Sequence, residues 1–154
     1  MRSPCMTLLA LMFGATLSAD TLQYKDERLI NSYISRQAGQ AHGVAATDSK
    51  TIVLGDLNND GVPDIAVLYS VEHTETTNYE IYLAVFVRSK TGLRPVANEA
   101  VGGKWYRAIG DMAVRRNTIE LETTDYGDDD PRCCPTIKGK TRYVLVGSTL
   151  KEQK

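Results

Sequence analysis

The alternation of apolar and polar residues predicts one helix followed by a series of strands. Over residues 24–37, apolar side chains recur at helical spacing, and charged and polar side chains fill the opposite face. Gly39 is well placed to end this amphipathic helix. The small and polar residues 40–50 predict a connecting loop.

From residue 51 onward the pattern changes to the period of a β-strand. Strands are predicted at residues 51–54, 65–70, 79–88, 93–101, 106–115, 118–124, 142–146 and 149–151. The segment 79–88 is apolar on both faces, which predicts a strand that is covered on both sides. Residues 71–77 predict an exposed turn or strand end.

Short turns join these strands and predict how they pair. Arg116-Asn117 and Gly147-Ser148 are two-residue hairpin signals, and Gly102-Gly103 breaks the chain. Successive strands with short connections predict a mainly antiparallel sheet built from hairpins. With the N-terminal amphipathic helix packed on one face, the sequence predicts an α+β fold.

The start of the chain predicts a secretory signal peptide over residues 1–19. Arg2 gives a positive start, residues 6–17 form an apolar run too short to span a bilayer, and Ser18 and Ala19 suit a cleavage site. We therefore expect residues 20–154 to form a single exported domain, periplasmic or secreted. No later segment is apolar for long enough to predict a membrane span.

The charge of the chain points away from nucleic acid. The formal net charge is −1 over 154 residues, and loss of Arg2 with the signal peptide would make it about −2. A nucleic-acid-binding domain is expected to be strongly basic. The predicted partner is therefore another envelope or secreted protein, and the sequence leaves the oligomeric state open.

One loop has the residue pattern of a calcium site. The predicted ligands, at loop positions 1, 3, 5, 7 and 9, are Asp56, Asn58, Asp60, Val62 and Asp64. All use side-chain oxygen except Val62, which offers its backbone carbonyl, and Gly61 allows a sharp turn. An all-oxygen set favours Ca²⁺ over Zn²⁺. A metal-free turn is the alternative, because Asp, Asn and Gly suit turns.

The segment 55–67 resembles the calcium loop of FG-GAP/VCBS-type repeats. The resemblance implies that the side chains of Asp56, Asn58, Asp60 and Asp64 bind Ca²⁺ between two strands. The motif occurs once and covers about a tenth of the chain, whereas a β-propeller needs several similar blades. The whole chain is also similar to small exported bacterial proteins with one such loop and a Cys-Cys-Pro near the end, a similarity that implies no activity.

Two adjacent cysteines, Cys133 and Cys134, would be the only ones left after loss of Cys5 with the signal peptide. They are candidates for a vicinal disulfide in an oxidising compartment. Pairing with another chain and free thiols are the alternatives. We expect a structural turn stiffened by Pro131 and Pro135, with a labile redox pair as the alternative.

Two further segments form a possible binding surface, comprising Trp105, Tyr106, Asp128, Asp129 and Asp130. The aromatic pair follows the Gly-Gly break and suits recognition, although Trp105 closing the edge of the core is an equal alternative. The acidic run, with Asp125, is expected to lie in solvent. Completion of the calcium shell from across the fold, or a second ion site, are its alternatives.

The sequence has no recognisable catalytic motif, and His42 and His73 lie in polar stretches without an evident partner. It therefore predicts an exported, calcium-binding accessory or protein-binding domain without catalysis. One alternative is a periplasmic inhibitor or immunity protein directed against a toxin or hydrolase. Another is a small hydrolase or redox protein that uses Ca²⁺ or the cysteine pair.

Overall fold

A computed structural model describes residues 22–153, so the predicted signal peptide and Cys5 lie outside the described residues. The helix α1 spans Tyr24–Gln40, and a 3-10 turn spans Thr47–Ser49. The strands are β1 (Gly43–Ala45), β2 (Thr51–Gly55), β3 (Asp64–His73), β4 (Tyr79–Ser89), β5 (Gly92–Gly103), β6 (Arg107–Arg115), β7 (Thr118–Asp125), β8 (Ile137–Val146) and β9 (Thr149–Gln153).

The predicted α+β class is wrong. Among residues 22–153, strands account for 55% and a single helix for 15%, so the fold is roughly all-β. The helix, at Tyr24–Gln40, is one short element and not a layer of the fold. Part of the error lies in residues 40–50 and 71–73, which were predicted as loop or turn but supply β1 and the end of β3. Within residues 22–153, no helix is long and apolar enough to cross a membrane.

The strands form one antiparallel sheet in the order β1-β3-β4-β5-β6-β7-β8-β9, and β2 also pairs with β3. The ladder between β5 and β6 contains a single pair, Gly103 with Arg107. Gly103 has φ of +143°, and a Cβ at this position would lie 2.6 Å from the carbonyl oxygen of Tyr79. Only glycine fits this position, where the chain leaves β5 for the next half of the sheet.

Two hydrophobic cores lie on the two sides of β4. The larger core packs one half of the sheet on the other, and it includes Leu83 and Val85 from β4 together with Ile119 and Leu121 from β7. The smaller core lies under α1 and includes Phe86. The prediction that residues 79–88 are covered on both sides is therefore confirmed. Over the described part of the chain, the larger core contains no helical residue, so the helix is an addition to a sheet-on-sheet fold.

A buried ion pair ties the start of α1 to the end of β4. Asp26 is only 2% exposed, accepts a 2.7 Å hydrogen bond from Nη2 of Arg88, and accepts another from the backbone amide of Gln23. Burial alone would raise the pKa of Asp26, but the hydrogen bonds from Arg88 and Gln23 outweigh it and the pKa lies below its ordinary value. The ionised carboxylate is therefore part of the folded structure.

Candidate functional site

The predicted calcium loop joins β2 to β3 and lies at one end of the sheet. Gly61 has φ of +79°, as expected for the sharp turn, and Asn59 has φ of +62°. Asparagine is one of the few residues other than glycine that tolerates this left-handed region. The sequence therefore identified both the turn and its two flanking strands.

Three of the predicted ligands lie close together. The Oδ1 atoms of Asp56 and Asn58 both accept hydrogen bonds from the backbone amide of Asp60, at 3.1 and 3.0 Å. The Nδ2 of Asn58 donates to Oδ2 of Asp60 at 2.9 Å, and the amide of Val62 donates to Oδ1 of Asp60 at 2.8 Å. These contacts fold the loop around its own polar side chains.

Asp64 is more buried than the other predicted ligands and has contacts outside the loop. Its side chain is fully buried, and its two oxygens accept hydrogen bonds from the backbone amides of Leu57 at 3.1 Å and Arg88 at 2.9 Å. Burial raises the pKa of Asp64, the two amides offset part of this rise, and the negative charges of Asp60 and Asp56 add to it. Asp64 therefore fastens the loop to the end of β4.

The donor set fits Ca²⁺ in kind, because every predicted ligand supplies oxygen. Over residues 22–153, however, no three His, Cys, Asp or Glu side chains are grouped as a metal site. The five-ligand set therefore stays a prediction. Asp128–Asp130 follow β7 at the opposite end of the sheet, about 30 Å away along β3, so the alternative in which they complete the calcium shell is wrong.

A second candidate site lies at that opposite end, where the β3–β4, β5–β6 and β7–β8 connections meet. Lys104 joins two of them, because its Nζ donates to the carbonyl oxygen and Oγ1 of Thr77 at 3.0 and 2.9 Å. The three connections enclose a cleft of about 500 Å³, called here the Trp105 cleft. Its lining residues are Thr77, Tyr79, Lys104, Trp105, Tyr126, Arg132 and Cys133.

Trp105 lies outside both cores and is 53% exposed, so the alternative in which it closes the edge of the core is wrong. Its φ of +64° is in the left-handed region, which is unfavourable for a bulky residue. Two cations lie against its ring, with the Nζ of Lys104 at 4.9 Å and the guanidinium carbon of Arg132 at 5.8 Å from the ring centre. The indole is therefore held in place while much of it faces solvent.

The cysteines are bonded to each other, so the structure selects the vicinal disulfide among the predicted alternatives. The backbone amide of Cys134 donates to the carbonyl oxygen of Pro131 at 2.9 Å, and the hydroxyl of Tyr126 donates to the carbonyl oxygen of Arg132 at 2.9 Å. These contacts close a compact turn. That turn forms one wall of the Trp105 cleft.

Asp130 closes the base of the same turn. Its carboxylate accepts hydrogen bonds from the backbone amides of Gly127 and Thr136, both at 2.8 Å, and from the hydroxyl of Thr136. The amide of Gly127 is the largest cause of a pKa below the ordinary value for this carboxyl. The acidic run thus supplies one structural carboxylate, while Asp128 and Asp129 are exposed.

The structure brings only part of the predicted binding surface together. An adjoining cavity of about 440 Å³ is lined by both Trp105 and Asp130. Tyr106 instead lies against Arg107, whose guanidinium carbon is 5.4 Å from its ring centre. Sequence reasoning missed Tyr79, Lys104, Tyr126 and Arg132. In an antiparallel meander, every second connection lies at the same end of the sheet. Applied to the predicted strands, this rule would have grouped these residues.

The histidines have neighbours that the sequence did not reveal. His42 and His73 line one small cavity with Glu75, and Nε2 of His73 lies 3.5 Å from Oε2 of Glu80. Glu80 also accepts a hydrogen bond from the hydroxyl of Tyr82 at 2.6 Å.

Comparisons of the chain with protein-family models, with curated proteins and with solved structures find no match.

Proposed function

We propose that this chain is an exported, non-catalytic domain that binds a partner protein through the Trp105 cleft and holds Ca²⁺ in the loop at the opposite end. The observation that carries the proposal is the exposed indole of Trp105 on a left-handed backbone. Glycine or asparagine would suit that backbone better. An unfavourable conformation at an exposed aromatic residue is typical of a functional position.

The lining of the cleft has the composition of a binding hot spot. Trp, Tyr and Arg contribute most of the binding energy at protein interfaces, and the cleft combines Trp105 and Arg132 with the exposed Tyr79. The hydrogen bonds of Lys104 and Tyr126 hold the surrounding connections in place before a partner arrives. A surface ordered in advance loses less entropy on binding.

The proposed Ca²⁺ has a stabilising role. Asp56, Asn58, Asp60 and Asp64, with the carbonyl of Val62, are its proposed ligands, as the resemblance to FG-GAP/VCBS loops implies. The close approach of the first three and the repulsion among carboxylates support a cation at this loop. Because the loop and the cleft lie at opposite ends of β3, the ion would act on the fold and not on the partner.

Affinity capture with a matched pair of variants tests the binding surface. The mature chain, Trp105→Asn and Arg116→Asn serve as baits for an envelope extract of the producing cell. Arg116 is a fair control, because its φ of +56° is also left-handed and it lies in the β6–β7 turn at the calcium-loop end. We expect a discrete protein to be retained by the mature chain and by Arg116→Asn, and lost with Trp105→Asn. Equal retention by all three baits would overturn the proposal.

An inhibitor or immunity protein is the second candidate, favoured by the disulfide-closed turn beside the cleft, since rigid loops suit tight inhibition. It uses the same surface, with a toxin or hydrolase as the captured partner. Mixing the captured protein with its substrate, with and without this chain, decides between the two. Loss of turnover shows an inhibitor, and unchanged turnover shows an accessory protein.

A further inference from the structure

We infer that the Trp105 cleft recognises a peptide segment that carries a single carboxylate next to an apolar or aromatic side chain. This inference depends on the proposed binding function and specifies the chemistry of the partner. It follows from the charges of the cleft, from its apolar walls and from the acidic residues beside it.

The cleft carries two positive charges that lack a negative partner among residues 22–153. Among the described residues, neither Lys104 nor Arg132 has a carboxylate within ion-pair distance. Arg107, on the far side of the same turn, contrasts with them, because its Nε lies 2.7 Å from Oδ1 of Asp125. A carboxylate from a ligand would supply the missing charge, and arginine binds carboxylates with good geometry.

The same cleft offers apolar surface on several sides. The residues that line it include three aromatic residues and a cysteine, Trp105, Tyr79, Tyr126 and Cys133. Aromatic rings pack well against other rings and against apolar side chains. A cleft of about 500 Å³ has room for one or two side chains, so we expect a short segment to enter it.

The neighbouring acidic residues restrict the ligand to one negative charge. Asp130 lines the adjoining cavity, with its carboxylate held by internal donors, and Asp128 and Asp129 are exposed nearby in the chain. A polyanion that crossed the cleft would meet these like charges, and such contacts are unfavourable. This disfavours acidic polysaccharides and highly acidic peptides.

Fluorescence titration tests this directly, because Trp105 is the one tryptophan of the chain. The probe is the peptide Ser-Phe-Glu-Phe-Ser, acetylated and amidated, which contains no tryptophan. Matched probes replace its glutamate by glutamine, add two further glutamates, or consist of oligogalacturonate. We expect saturable change in indole emission with the first probe, and about tenfold weaker binding of the glutamine version because both cations lose their partner.

Charge variants distinguish recognition of the carboxylate from non-specific binding of the peptide. Arg132→Gln should weaken the single-glutamate peptide roughly threefold to fivefold, as expected for an exposed ion pair, and Arg116→Gln should leave its affinity unchanged. Circular dichroism melts confirm that both variants are folded. Equal affinity for the glutamate and glutamine peptides, or tighter binding of oligogalacturonate, would overturn the inference. If affinity capture still depends on Trp105 in that case, the proposed function stands and only the ligand chemistry is wrong.

Discussion

Replacing Trp105 by asparagine should cost little stability, because the indole is a contact residue and not a core residue. A tryptophan buries up to about 250 Å² in a core, and with 53% exposure about 120 Å² is covered here. At about 25 cal/mol per Å² this corresponds to about 3 kcal/mol. Burial that persists in the unfolded chain reduces it to about 2 kcal/mol.

Relief of the left-handed backbone raises the free energy of unfolding and offsets part of this loss. Asparagine adopts positive φ more readily than a bulky residue, which recovers about 1 kcal/mol. Lost contacts with Lys104 and Arg132 cost about 0.5 kcal/mol at an exposed ring. The free energy of unfolding should therefore fall by about 1.5 kcal/mol, or about 5 °C in Tm for a domain of this size.

Urea unfolding followed by circular dichroism measures this change, with Arg116→Asn as the matched left-handed control. Arg116→Asn should be neutral or slightly stabilising, since it relieves a similar backbone without loss of packing. Truncation of a fully buried tryptophan costs about 3–5 kcal/mol. A loss of that size for Trp105→Asn would show that the indole holds the fold together, and would refute its assignment as a binding residue.

Three further predictions concern the predicted calcium loop, the ion pair between Asp26 and Arg88, and Gly103 at the end of β5. At about 10 mM, Ca²⁺ should raise the Tm by about 5–10 °C if the Kd is about 10⁻⁴–10⁻³ M. Asp60→Ala should abolish the rise, and equal melting temperatures with EDTA and with Ca²⁺ would show that the loop is a turn without a metal. Asp26→Asn should destabilise by about 3 kcal/mol at pH 7 by leaving Arg88 without its partner. Because the folded pKa of Asp26 is lowered, its contribution is present above about pH 4 and is lost as the pH falls through the folded pKa; an acid titration of stability should show this loss in the wild type and not in the variant. Gly103→Ala should lower the free energy of unfolding by about 2 kcal/mol and weaken capture of the partner, since its Cβ would press on the carbonyl of Tyr79. An unchanged urea midpoint together with unchanged capture would contradict the claim that only glycine fits this position.

Predictions from the sequence were confirmed where the structure depends on local pattern. The strand at 79–88 and the turn at Gly61 followed from periodicity and backbone chemistry, and both are present. The fold class failed because it depends on how the elements pack. One helix over β3 and β4 is minor beside the sheet-on-sheet core, and periodicity carries no information about that balance.

The cleft could be predicted only in fragments. Trp105, Asp130 and Cys133 were singled out one by one, but their meeting depends on connections far apart in the chain. Thr77 and Lys104 gave no local signal, because each is an ordinary turn residue until the fold places them together. Asp64 was predicted as a ligand like the others, and its buried role emerges only from the amides of Leu57 and Arg88.

Site-specific photo-crosslinking in the producing cell tests the central claim most directly. A photoreactive phenylalanine replaces Tyr79, which lines the Trp105 cleft and is 39% exposed, or Tyr24, which is 76% exposed at the start of α1. We predict a discrete covalent adduct with one protein from position 79 and none from position 24. The same adducts from both positions, or an adduct only from position 24, would contradict the assignment of this cleft as the binding surface.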